Sequence, residues 1–181
     1  MVNQIPVEIR KITDPDGTSR LGAVAYLEEA LSTPNIMSRL STTEKEYKLL
    51  LQQCQEILVQ TKTSKGRPDA RLRWELADKI HTFLDSNTKK IGVVLVNYTD
   101  ALHRDLDISE SELRYILRFY NKYRNLNELD HRINWSKYRE LMDFSDEKSR
   151  KQCETLIKTG KIKSDTEIRE FKRKLKSKRV S

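Results

Sequence analysis

Four polar side chains between residues 109 and 124 have the types and spacing to read a nucleic-acid duplex: Arg114, Arg118, Asn121 and Lys122. On a helix, residues four and seven apart share a face, so Arg114, Arg118 and Asn121 line up. Arginine reaches the O6 and N7 of guanine with two parallel bonds, and asparagine does the same for N6 and N7 of adenine. Any of the cations can instead neutralise a phosphate. Ser111 falls in the first turn of the same segment, where a hydroxyl and the helix amides favour phosphate. Glu110 and Glu112 share that turn and repel it. The competing reading is an ordinary amphipathic helix whose charged face is solvated.

Two more basic segments could follow a phosphate backbone. Residues 62–73 carry Lys62, Lys65, Arg67, Arg71 and Arg73 across Gly66 and Pro68, a loop running into a helix start. Residues 171–179 carry Lys172, Arg173, Lys174, Lys176, Lys178 and Arg179. Such a run serves either as an electrostatic arm or as a solvated end. Trp74 and Trp135 could stack on unpaired bases, yet beside an apolar helical register each is expected in the core.

Catalytic arrangements do not appear. The chain holds no glycine-rich phosphate loop, no His-Glu-x-x-His and no Gly-x-Ser-x-Gly. Cys54 and Cys153 lie far apart, and His81, His103 and His131 add no metal-ligand spacing. Asp100, Asp105 and Asp107 cluster, but they precede a capped helix and fit a turn. The expectation is a protein that is not an enzyme, with no catalytic residue, metal or cofactor.

Composition agrees with a polyanionic partner. The formal net charge is +8, with a pI near 9.4, and each cation that neutralises a phosphate releases counterions. No apolar run approaches the roughly 20 residues that cross a bilayer, and the N-terminus has no signal-peptide pattern. The expected setting is therefore a prokaryotic cytosol or nucleoid with reduced thiols, and not a membrane. With 5 Gly and 4 Pro in 181 residues, turns are few and elements long.

The elements follow from periodicity and caps. Asp14-Pro15-Asp16-Gly17 marks a turn in a loose or strand-like arm. Leu21, Val24, Leu27 and Leu31 have helical spacing over residues 19–31, ended by Ser32-Thr33-Pro34-Asn35. Ser41-Thr42-Thr43-Glu44 is a capping-box pattern, predicting a helix over 41–61 with Tyr47, Leu50, Leu51, Cys54, Ile57 and Leu58 inward. A second helix is expected over 69–84, on Leu72, Leu76, Ile80 and Phe83. The β-branched run 91–96 fits a buried strand or a helix, and a helix over 89–105 is favoured. Ser109 opens the helix to residue 124, with Leu113, Ile116, Leu117 and Tyr120 on its apolar edge. Asn134 caps 135–142, Ser145 starts the next helix, and Gly160 stops it. Residues 161–163 fit a short strand or wing. Ser164-Asp165-Thr166-Glu167 opens a last helix to about residue 175.

Several of these residues resemble the N-terminal domain of the YhcG family: Arg73-Trp74 with Ile80, then Ser109, Leu113, Phe119 and Tyr120, then Trp135, Tyr138 and Leu141, and the ending Ser164-Asp165-Thr166-Glu167-Ile168-Arg169-Glu170-Phe171. The similarity covers residues 47–175. It implies a helical, winged-helix-like DNA-binding domain. The family's Tyr-Gly pair is Ile91-Gly92 here, a family glycine is Ala77, and the nuclease domain has no counterpart, so cleavage is not carried over. The expected organisation is an N-terminal arm and short helix (1–35), an all-α or nearly all-α domain with room for a small β-ribbon or wing (36–176), and a basic tail (177–181). The expected function is non-enzymatic binding of nucleic acid, duplex DNA first. Lys65, Arg67, Arg71, Arg73, Ser111, Arg114, Arg118, Asn121, Lys122, Lys172, Arg173 and Lys174 form the contact surface. The alternative is a protein-interaction or assembly module: an accessory or inhibitor subunit of a nuclease or another acidic partner, of mobile-element or viral origin, or a homodimer.

Overall fold

A computed structural model describes residues 4–25, 35–63 and 69–180. Among them are seven α-helices and one three-stranded sheet, so the fold is mainly helical. The chain divides into two compact units: Met1–Ile57 with Leu76–Leu113, and Leu58–Glu75 with Arg114–Ser181.

In unit 1, β1 (Ile5–Thr13) turns back into β2 (Ser19–Ala25) and pairs with it antiparallel. The turn is the one expected at Asp14: Gly17 takes φ 84° and its amide donates to the Asp14 carbonyl. Alternation in β1 buries Ile5, Val7 and Ile9. The spacing of residues 19–25 predicts the start of a helix, and the structure differs. They form a strand because the tight turn returns them along β1, whose ladder takes their amides and carbonyls. Residues 26–31 of that expected helix, and the boundary at 32–34, lie outside the described residues.

The helix favoured over 89–105 is likewise replaced. Helix α2 (Ala70–Ser86) passes into a π-turn at Asn87–Ile91, which ends on Gly92 at φ 74°. Then β3 (Val93–Leu95) runs parallel to β1, giving the order β2-β1-β3. Only Tyr98–Asp105 is helical (α3). A glycine in the left-handed region ends the turn at no steric cost, and Val93 and Leu95 are buried as sheet core.

Helix α1 spans Ile36–Thr63, so it starts five residues before the expected cap. Ser41-Thr42-Thr43-Glu44 therefore lies inside it. Thr43 is fully buried and its hydroxyl donates 2.9 Å to Asn87 Oδ1. The Glu44 carboxylate accepts the Ala23 amide of β2 at 2.9 Å. Tyr47, Leu50, Leu51, Cys54 and Ile57 are buried as the spacing requires. Asp105 serves structure: its carboxylate accepts from Tyr47 Oη and from Arg104.

Unit 2 is built on α4 (Glu110–Lys122), α5 (Trp135–Met142), α6 (Glu147–Lys158) and α7 (Asp165–Val180), with unit 1 taking the first turn of α4. Its core centres on Phe119, whose ring lies 5.0 Å from Tyr123, 5.1 Å from Trp135 and 5.1 Å from Tyr138. Phe119 and Tyr123 take the buried places expected for Leu117 and Tyr120, which are half-buried. Helical spacing from Ile116 allows either pair, and the aromatic cluster selects the former. Arg150 and Glu154 are also buried there; the Tyr123 hydroxyl donates 2.7 Å to Glu154, and Arg150 lies 4.4 Å over the Tyr123 ring.

The caps act locally. Ser109 accepts the Glu112 amide, Asn134 accepts the Lys137 amide, and Ser164 and Glu167 exchange bonds as a full capping box. The cap of α6 is Asp146 in place of Ser145, accepting the Ser149 amide at 2.7 Å. Residues 161–163 form no strand. After Gly160 (φ 73°) the amides of Lys161 and Ile162 both donate to the Leu156 carbonyl, and Ile162 is buried, so the segment closes α6 and carries no wing. Helix α7 runs on to Val180, past the expected end near 175.

Candidate nucleic-acid interface

The charge of the chain is divided between the units. Unit 2 carries 25 Lys and Arg against 12 Asp and Glu, a formal +13, while unit 1 carries 10 against 15, a formal −5. The net +8 thus arises entirely from unit 2.

Within unit 2 the expected contact residues sort by what they touch. Arg71 stands exposed in the first turn of α2, which Asp69 caps by accepting the Arg71 amide at 2.8 Å. Arg173 and Lys174 are exposed on α7, and among the described residues neither makes an ion pair. Arg114 and Asn121 are exposed on α4. Ser111 and Arg118 are exposed as well, but both are engaged by neighbouring side chains.

The other described members of the set also make contacts within the fold. Arg73 is half-buried, with its guanidinium 5.0 Å over the Trp135 ring. Arg118 donates 2.7 Å to the Met142 carbonyl and 3.0 Å to Asp143. Lys122 reaches the Phe144 carbonyl at 3.4 Å. Lys172 binds Glu140 at 2.8 Å and lies 5.9 Å from the Phe144 ring. Burial of Glu140 works against its charge, yet Arg169 and Lys172 hold its carboxyl below the usual range. Ser111 falls in unit 1, hydroxyl to hydroxyl with Ser109 at 3.1 Å. Lys65 and Arg67 lie outside the described residues.

No family model, curated protein or solved structure matches the chain. The YhcG resemblance therefore rests on the motifs quoted above.

Three further arginines of this unit meet aromatic rings that sequence spacing does not reveal. Arg139 lies 4.3 Å over the Tyr115 ring and Arg124 lies 5.6 Å over Tyr120, both exposed. Arg150 is buried. Nothing in the local pattern separates these from other arginines, because each is defined by a partner on another turn or another helix. Trp135 is buried as expected, and Trp74 is half-buried with Nε1 donating 2.6 Å to the Tyr123 carbonyl.

Among the described residues of unit 2, two hollows adjoin these cations. One, of about 550 Å³, is bordered by Asp143, Phe144, Arg169, Lys172, Arg173 and Leu175. The other, of about 390 Å³, is bordered by Asn121, Lys122, Arg124, Glu128, Glu147 and Arg150. Among the described residues no three His, Cys, Asp or Glu side chains are placed to hold one metal ion, and no helix is long and apolar enough to cross a membrane. What the arrangement offers chemically is cationic surface with aromatic neighbours.

Proposed function

We propose that the protein binds nucleic acid, duplex DNA first, without cutting it, and that unit 2 is the binding module. The observation that carries this reading is the separation of charge, +13 on unit 2 against −5 on unit 1. A polyanion is attracted to the first and repelled by the second, which orients the encounter. Arg114 and Asn121 on α4 are the side chains suited to base edges; Arg71, Arg173 and Lys174 are suited to phosphates. Glu110 and Glu112 at the start of α4 favour approach by its later turns. The YhcG resemblance implies the same activity and a winged-helix-like form, and both belong to this proposal, as does a cytoplasmic or nucleoid setting.

Charge reversal tests it. In fluorescence anisotropy with a labelled duplex, Arg173→Glu with Lys174→Glu weakens binding, and the dependence on log salt becomes shallower by about 1 for each phosphate that is no longer neutralised. Reversal of the exposed Lys48 in unit 1 leaves binding unchanged. Equal effects from both units would refute the assignment. Absence of DNA binding, together with capture of an acidic protein partner, would favour the assembly-module reading.

A further inference from the structure

The smaller hollow of unit 2 lies beside an aromatic pair, and one side chain belongs to both. Arg124 borders the hollow of about 390 Å³, and its guanidinium lies 5.6 Å over the Tyr120 ring. Tyr120 in turn lies 5.1 Å from Trp74, tilted by 44°. Both rings are half-buried and so keep exposed surface. Trp74 is held in place by its bond to the Tyr123 carbonyl, and Arg71, three residues earlier on α2, stands exposed on the same side of that helix.

A ligand matching this arrangement has a flat π system at one end and an anionic group at the other. Lys122, Arg124 and Arg150 supply cations to the hollow, and Asn121 supplies an amide that both donates and accepts. Glu128 and Glu147 border it too. Glu147 is neutralised in part by Lys151 at 2.7 Å and Arg150 at 3.8 Å. Arg150 also pairs with the buried Glu154 at 3.7 Å. Four cations, Lys151 included, thus stand against three carboxylates, a balance that suits one negative charge better than the several charges of a terminal phosphate or a nucleoside triphosphate.

We propose that this place holds one unpaired nucleotide of a DNA strand, its base on the exposed surface of the Trp74–Tyr120 pair and its phosphodiester among Lys122, Arg124 and Arg150. The inference rests on the nucleic-acid reading above and deepens it: the preferred substrate is duplex carrying an unpaired stretch. Stacking tolerates any base, because every base has a π face, so the preference is structural and not sequence-specific.

Binding is measured by anisotropy with three labelled DNAs: a blunt duplex, the same duplex with a short single-stranded thymidine tail, and the single strand alone. The tailed duplex binds about tenfold more tightly than the blunt one, in the range one base–aromatic stack contributes. Tyr120→Leu removes that advantage and leaves blunt-duplex affinity unchanged, Arg124→Ala removes it whatever its effect on the blunt duplex, and Tyr120→Phe keeps it. ATP at millimolar concentration does not displace the tailed DNA. Equal wild-type affinity for blunt and tailed duplex, with both bound, overturns this inference and leaves the nucleic-acid reading standing. No binding of any of the three overturns both. A wild-type readout needs no variant: of the two tryptophans Trp135 is 4% exposed, so stacking quenches emission from Trp74. An unchanged emission spectrum on saturation with the thymidine strand overturns the proposal even if Tyr120→Leu does not fold.

Discussion

The guanidinium of Arg118 on α4 donates 2.7 Å to the main-chain carbonyl of Met142, the last residue of α5. A second bond reaches Asp143, the C-cap of the same helix, at 3.0 Å. An arginine whose place in the sequence suits DNA thus joins two helices instead. The carbonyls at a helix end lack intrahelical partners, and a cation there also complements the helix dipole.

Arg118→Ala is therefore expected to lower stability by about 1–2 kcal/mol, the scale of a hydrogen bond to a charged group at a partly exposed site. Arg114→Ala, at an exposed position one turn earlier on α4, is expected to stay within about 0.5 kcal/mol while weakening duplex binding. Urea denaturation of the two variants, with anisotropy on the same samples, separates the roles. Equal stability of both variants would remove the structural role of Arg118.

Asn87 gives the second prediction. It is fully buried; its amide donates to Glu46 at 3.1 Å and to the Phe83 carbonyl at 3.0 Å, and its oxygen accepts from Thr43. Asn87→Leu removes three bonds and leaves the buried Thr43 hydroxyl without this acceptor, at a cost of about 2–4 kcal/mol. The double change Thr43→Val with Asn87→Leu is expected to recover part of that loss, because the stranded hydroxyl is gone as well. Thermal melts of the two single variants and the double variant provide the cycle; strict additivity would contradict the coupling.

The same residues show which parts of the fold are legible from sequence. Asn134, Ser164 and Glu167 act on amides within one turn, so their spacing alone specifies them. Gly160 ends α6 for a similarly local reason. Ser41-Thr42-Thr43-Glu44 carries the identical local pattern, yet Thr43 faces Asn87 and Glu44 faces Ala23, partners far away in sequence. Likewise β2 and β3 are strands because β1 lies beside them, not because their residues alternate strongly. The interface follows this division. That Arg73, Arg118 and Lys172 are cations is plain from sequence; that they are committed to Trp135, Met142 and Glu140 depends on which helix each one meets.

Acid should act through Asp130. Hydrogen bonding from Arg132, side chain first, holds its carboxyl well below the ordinary 3.8, and Lys158 adds to the effect. A depressed folded value means the stabilisation is fully present above the unfolded value, near pH 4, and is lost as pH falls from there through the folded one. Asp130→Asn is expected to lower stability at pH 7 by about 1 kcal/mol, a modest figure because the Arg132 arm is half-exposed and screened. The difference from wild type should shrink between pH 4 and pH 2. A difference in melting temperature that is constant over that range would show that Asp130 acts through shape and not charge.

The central claim is that the cationic surface of unit 2 meets a phosphate backbone, and a salt titration of duplex binding by the intact chain addresses it most directly. With about four to six phosphates neutralised, log affinity should fall against log salt with a slope of about −4 to −5. A duplex that fails to bind at about 50 mM salt, where electrostatic binding is strong, or that binds with no salt dependence, would contradict the account.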